Sequence, residues 1–286
     1  MQLGIRLHDS KKVELEERLG IVKGQGFSTV HLALSKIEGL PSDTGSLTPG
    51  YAMYLKDTFA KKGLSIAILG CYLNLANPDE NELKRIQKKY LAHLRFASLL
   101  GCGLVGTETG APNTTYSYDK EACHSDEALG IFIKNLRPVV EYAEKSGVIL
   151  AIEPVYKHIV WNPRRARAVL DAIDSPNLQI IFDPVNLLHP DNLDRSEEVI
   201  DEAIDLLGPD IALIHLKDYV LENGEMKAVG CGFGQMDYSR IIEFAVKEKP
   251  YIHATLENTR PENAQESLRF IQDIENKYRM LISKGF

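Results

Sequence analysis

The chain has 286 residues, 44% of them hydrophobic, and a formal net charge of −7. That length is large for an ordinary domain but normal for one α/β barrel, and the apolar content suffices for a large core. The acidic balance argues against a surface for nucleic acid, which needs a basic face.

Strand and helix patterns alternate from end to end. Leu3–Leu7 predicts a strand and Lys11–Gly24 a helix, then Thr29–Leu34 a strand and Pro49–Lys62 a helix. Leu64–Leu69 is the third strand, and Pro78–Leu100 a long helix with Leu83, Ile86, Tyr90, Leu94 and Ala97 on one face. Leu104–Thr107 is the fourth strand, with a helix within Ser125–Ser146. The fifth strand ends at Glu153 and is followed by a helix over Pro163–Ile173; the sixth ends at Asp183, with a helix over Arg195–Leu207. The seventh ends at His215 before a helix from Asp237 to Lys247, and the eighth ends at Glu257 before a helix over Ala264–Leu281. Glycines just past several helices, Gly101 and Gly147 among them, mark their ends, and Pro78 and Pro163 suit first helical turns.

Eight such units predict a closed (β/α)8 TIM barrel, one domain over residues 1–286. The alternative, an open doubly wound sheet, usually has a glycine-rich first turn, whereas this one reads His8-Asp9-Ser10. Segments leaving strands are long at Ser35–Thr48, Glu108–His124 and Lys217–Met236, on the face where barrel enzymes build their sites.

No secretory signal and no apolar run of bilayer length is visible, so a cytoplasmic location without membrane attachment is expected. Cys71, Cys102, Cys123 and Cys231 form no CxxC pair and read as free thiols.

Four consecutive apolar runs stop on a residue able to bind a metal: Glu153, Asp183, His215 and Glu257, spaced 30, 32 and 42 residues apart. In a closed parallel barrel the carboxyl ends of the strands meet at one face, so these side chains would converge. Taken alone, a carboxylate after a strand is more often a helix cap, and a lone histidine more often a satisfied polar residue. Four in succession are not expected from chance caps. Three carboxylates and one imidazole suit Mn²⁺, with Mg²⁺, Co²⁺ and Zn²⁺ as alternatives; the absence of clustered cysteines and of HExxH argues against structural zinc or a zincin. Strand parity places Lys217 on the same inward face as His215; its alternative is a surface lysine paired with Asp218.

At these residues the chain resembles the xylose isomerase-like barrel superfamily of sugar isomerases and epimerases. The matching stretches are Ala-Ile-Glu-Pro at 151–154, Phe-Asp-Pro-Val-Asn-Leu-Leu at 182–188, Ile-His-Leu-Lys-Asp at 214–218 and Leu-Glu-Asn at 256–258. The resemblance implies that Glu153, Asp183, His215 and Glu257 hold the metal, and that Glu153 and Glu257 act as acid and base. A metal that holds a ketone and its neighbouring hydroxyl stabilises the enediolate left when the α-proton departs. Return of the proton to the other face gives an epimer, and return to the next carbon gives an isomer. The substrate implied is a sugar, keto-sugar or polyol derivative.

Many family epimerases carry a histidine three positions after the sixth-strand aspartate; here that position is Asn186, with His189 three further on. A lyase on the same scaffold, such as a keto-inositol dehydratase, begins with the same proton removal and is the alternative. The superfamily's apurinic-site endonucleases bind zinc through many histidines, which this chain lacks. Further candidates for substrate contact are Glu108, Lys157, Asn186, Lys217, Asn74 and Arg260, with Arg6, His158 and Trp161 behind them. Gly230-Cys231-Gly232-Phe233-Gly234 resembles a phosphate cradle but reads better as a turn that starts the next helix. Association of two copies is left open.

Overall fold

The structure is a computed structural model that describes residues 1–283; the last three residues of the predicted domain lie outside it. Eight parallel strands close a barrel. They are β1 (Gln2–Arg6), β2 (Thr29–Leu32), β3 (Ser65–Gly70), β4 (Leu104–Glu108), β5 (Ile149–Glu153), β6 (Leu178–Phe182), β7 (Ile211–Leu216) and β10 (His253–Leu256), in the order β1-β10-β7-β6-β5-β4-β3-β2. The helices α1 (Leu15–Gly24), α2 (Pro49–Lys61), α3 (Glu80–Leu100), α4 (Lys120–Cys123), α5 (Asp126–Ser146), α6 (Pro163–Ile173), α7 (Ser196–Leu207), α8 (Ser239–Glu248) and α9 (Ala264–Ser283) follow the strands in turn, with α4 and α5 together after β4.

Most predicted elements stand within a few residues of their expected bounds. The first helix begins at Leu15 rather than Lys11, since Lys11 and Lys12 are exposed and add nothing to the apolar face. Pro163 takes the first turn of α6, but Pro78 lies before α3: Asp79 is the cap there, its carboxylate accepting from the amides of Asn81 and Glu82. Gly101 and Gly147 close α3 and α5 in the left-handed conformation expected of them.

Two apolar layers result. The larger fills the space between strands and helices; the smaller, Ala67, Ile68, Leu104, Ala151, Ile181 and Leu213, fills the inside of the barrel. Packing there is tight enough that a Cβ on Gly106 would come within 2.4 Å of the Ile68 side chain. Side chains alternate along a strand, so the residues two places beyond Ile68, Leu104, Ala151, Ile181 and Leu213 point inward again, one step nearer the carboxyl face. From Ala151, Ile181 and Leu213 that step reaches Glu153, Asp183 and His215.

The sequence reading missed one element. The segment after β7 forms a hairpin, β8 (Asp218–Glu222) and β9 (Glu225–Val229), turning through Asn223 and Gly224 with φ of 55° and 81°. Positive φ at both turn residues is what Asn-Gly favours between paired strands, and that dipeptide was the available signal. All four cysteines are buried free thiols. Among the described residues no helix is long and apolar enough to cross a membrane.

Candidate active site

Each barrel strand delivers at least one polar side chain to the carboxyl face: Arg6, His31, Tyr72, Glu108, Glu153, Asp183, His215 and Glu257. Glu153, Asp183, His215 and Glu257 are at most 4% exposed, and they come together as predicted. His215 Nδ1 lies 3.3 Å from Glu153 Oε2 and 3.4 Å from Glu257 Oε1. Lys217 Nζ reaches Asp183 Oδ2 at 2.7 Å and Glu257 Oε2 at 3.6 Å. Lys217 is therefore a buried site residue rather than a surface partner of Asp218.

Asn186 also belongs to this centre. Its amide donates to Glu153 Oε1 at 2.5 Å, while its backbone N–H donates to Asp183 Oδ1 at 3.0 Å. At the position of the family histidine, then, a carboxamide holds the neighbouring strand's glutamate. His189 turns away, its ring stacked on Tyr156 at 4.3 Å, and does not replace that histidine.

Three participants went unnoticed in the sequence. His31 stacks on His215 with ring centroids 5.3 Å apart, lies 3.6 Å from Glu257 and pairs through Nε2 with the Tyr72 hydroxyl at 3.0 Å. Gly70 makes room for that pair: a Cβ there would lie 2.8 Å from His31 Nε2. Tyr116 donates to Glu108 at 3.1 Å from a left-handed backbone with φ of 57°. None of the three carried the strand-end signal of the four predicted residues: His31 lies inside the apolar run at residues 30–34, and Tyr72 and Tyr116 stand beyond their strands. Arg6, ranked low among the candidates, binds Glu257 at 3.1 Å and Asp9 at 2.9 Å.

A cavity of about 620 Å³ opens above the cluster, lined by Arg6, Glu108, Glu153, Lys157, Lys217 and Glu257 among others. Glu108 and Lys157 thus face it as expected. Asn74 and Arg260 do not. The Asn74 side chain donates to the Ala111 and Asn113 carbonyls and accepts from the Ala76 and Ala111 amides, so its hydrogen-bonding capacity is spent holding two loops together. Arg260 is exposed beyond the cavity, its backbone N–H bound by Asn263. Trp161 stacks on His124 at 4.6 Å, outside the cavity.

The glycine-rich loop is not a phosphate cradle. It wraps the chain's own carboxylate: Asp218 accepts from the amides of Gly232 and Met236 at 3.1 and 2.8 Å, and a Cβ on Gly234 would strike it at 2.4 Å. The loop leads into α8, in keeping with the helix-starting role.

The buried charges move one another. Burial pushes Glu153 up to about 7, against the pull of His215. Burial would raise Glu257 too, but His215, His31, Lys217 and Arg6 together hold it well below the usual carboxylate range. Burial works to lower His215, yet Glu257 and Glu153 bring it up to about 9. His31 is taken down to about 4 by burial and stays neutral near pH 7.

The donor set suits a divalent cation. Ligand atoms of Glu153, Asp183 and His215 can lie within 4.8 Å of one another, as can those of His31, His215 and Glu257. Both ring nitrogens of His215 are buried without a hydrogen-bond partner, a costly state for polar atoms unless something else binds them. Three carboxylates on one imidazole are the surroundings in which a cation supplies that partner.

The sequence matches the family described as xylose isomerase-like TIM barrel over residues 21–274, and the chain belongs to that family. No curated protein sequence matches it. Among solved structures it is similar to a D-tagatose 3-epimerase-like protein, with a TM-score of 0.76 and 17% identity over 99% of this chain and 100% of that one. It is also similar to the IolI protein with a bound zinc atom, at 0.72 and 18% over 97% and 99%. A third is the 3-keto-D-glucoside 4-epimerase YcjR from E. coli, at 0.72 and 15% over 96% and 99%. At these identities the likeness establishes the fold.

Proposed function

We propose that the protein is a divalent-metal-dependent isomerase or epimerase acting on a sugar, keto-sugar or polyol derivative. The observation that carries this reading is the pair of buried glutamates flanking His215, whose surroundings drive their protonation in opposite directions. Environments that separate two carboxyl groups in this way assign one as base and the other as acid. The names of the structural neighbours, a D-tagatose 3-epimerase-like protein and a 3-keto-D-glucoside 4-epimerase among them, point the same way.

Glu153, Asp183, His215 and Glu257 would hold the cation, with Mn²⁺ the best match to the donors and Mg²⁺, Co²⁺ or Zn²⁺ as alternatives. Once bound, it supplies Lewis-acid stabilisation of charge developing on a substrate carbonyl oxygen. Glu257, ionised and steadied by Arg6, takes the proton beside the carbonyl. Glu153 returns one from its side of the cavity. Asn186 fixes the direction of the Glu153 carboxyl, and the Lys217 ammonium offers N–H groups to an oxygen that gains charge. Glu108, with Tyr116 beside it, faces the cavity from β4 as a contact for a substrate hydroxyl.

Incubation with Mn²⁺ and a panel of ketoses in D₂O tests this. Deuterium entering next to the carbonyl together with a new sugar supports the reading. Deuterium uptake with loss of water would move the protein to the lyases, and an absence of exchange across the panel would sink the proposal. Cleavage of abasic DNA would favour a nuclease instead.

A further inference from the structure

The cavity above the glutamates has a side chamber that the proposed chemistry does not use. A second space of about 490 Å³ adjoins it, and Val155, Lys157, Asn186, Lys217 and Ala228 line both. The outer wall of this chamber is the β8–β9 hairpin, which presents Tyr219, Gly224 and Met226. The opposite wall is the loop after β6, with Val185, Leu188 and Pro190, and the floor carries the stacked Tyr156 and His189 rings. Each space alone falls in the range of roughly 300–1,000 Å³ that encloses a small-molecule ligand. One simple sugar at the glutamates would leave the second empty.

We infer that the substrate has two ring-sized parts: a sugar ring that reacts at the glutamates, and a second ring, joined to it by a glycosidic bond, that lies in the hairpin chamber. This rests on the carbohydrate reading proposed above and deepens it. The walls specify the kind of group. Val155, Val185, Leu188, Met226 and the flat Tyr156–His189 stack favour a ring with an apolar face, while Lys157, Asn186 and Lys217 stand at the junction where the linking oxygen would pass. A second sugar ring and an aromatic aglycone share that chemistry. The hairpin is thereby a specificity element, since the reacting groups all come from the barrel strands and the loops next to them.

The test is binding by calorimetry to the full chain with Mn²⁺, using methyl β-D-glucopyranoside, phenyl β-D-glucopyranoside and cellobiose. At least one of the two-ring probes is expected to bind ten or more times tighter than the methyl glycoside, and whether the phenyl glycoside or cellobiose leads tells an aglycone from a second sugar. Met226→Trp, which fills the chamber from the hairpin, should bring that ratio down to about one, and Met226→Ala should keep it. A Mn²⁺ titration and a thermal melt of each variant report whether the fold survives. Equal affinity for the three probes, including no binding by either two-ring probe, would overturn the inference, as would a ratio untouched in a folded Met226→Trp protein. A protein that shows the ring preference but exchanges no deuterium would leave the chamber standing and refute only the isomerase reading.

Discussion

Asn186 Nδ2 lies 2.5 Å from Glu153 Oε1, so a residue on the loop after β6 sets the orientation of the carboxylate that ends β5. Hydrogen bonds of this kind to metal-ligating groups typically contribute 10–100-fold to metal affinity or activity. Asn186→Ala should therefore weaken Mn²⁺ binding and slow deuterium exchange by about one to two orders of magnitude. Asn186→Asp should be worse, because it sets a second negative charge against Glu153. Titration calorimetry and the exchange assay check both, and an Asn186→Ala protein with wild-type affinity would mean that Glu153 is held by other contacts.

The two glutamates should fail differently from a structural residue. Glu257→Gln and Glu153→Gln are each expected to lower the exchange rate by about 10²–10⁴-fold, the usual contribution of a positioned acid or base. Circular dichroism and thermal melts should show the fold retained. Full activity in either variant would remove that residue from the proton-transfer pair.

Lys217 is buried among carboxylates, at 2.7 Å from Asp183 and 3.6 Å from Glu257. Removing one member of a buried ion pair leaves the other charge without compensation and costs about 3–5 kcal/mol. Urea denaturation of Lys217→Met in EDTA should show a loss of that order. Saturating Mn²⁺ should recover more stability in this variant than in the parent, because the cation replaces the missing positive charge. Equal recovery in the two proteins would place Lys217 outside the cation's electrostatic reach.

The metal-free protein should lose stability as pH rises from about 6.5 to 9. Below that window His31, whose folded value of about 4 lies under its unfolded 6.5, gains stability with rising pH and offsets the loss from Glu153. His215, raised to about 9, and the end of the Glu153 titration near 7 leave protons on the folded state that the unfolded chain has released between pH 6.5 and 9. The His215 contribution is fully present below its unfolded value near 6.5 and is lost as pH passes through 9. Glu257, held low, acts oppositely: its contribution is present above its unfolded value and disappears only in stronger acid. Cation binding must displace the His215 proton, so Mn²⁺ affinity should rise with pH over this range. Urea midpoints in EDTA that climbed from pH 7 to pH 9 would contradict these protonation states.

Asp218 holds the glycine-rich loop through the amides of Gly232 and Met236. Asp218→Ala strands those donors, each at about 1–3 kcal/mol when buried. Melting temperature should fall, and amide exchange should speed up first in the hairpin and its loop. Uniform acceleration over the whole chain would show that the loop is not an independent unit of stability.

The strand–helix rhythm and the convergence of the four strand-end residues were legible in the sequence because both are local. Hydrophobic period and chain punctuation are written residue by residue, and in a closed parallel barrel a strand's last inward residue must face the common site. Lys217 followed from the same parity. Asn74, Arg260 and Trp161 could not be placed this way. They sit on loops, and a loop side chain goes where its hydrogen bonds and stacking take it: Asn74 into a loop clamp, Trp161 onto His124.

The sequence alone determined the barrel, its family resemblance and the cluster of candidate cation ligands, since those depend on which residue ends each strand. Only the tertiary structure decided what surrounds the centre. It brought in His31 and Tyr72 from strands far away in the chain, bound Asn186 to Glu153 and raised a hairpin beside the cavity. It also separated the two glutamates electrostatically, because burial and distance to neighbouring charges set a carboxyl group's proton affinity and neither is written along the chain.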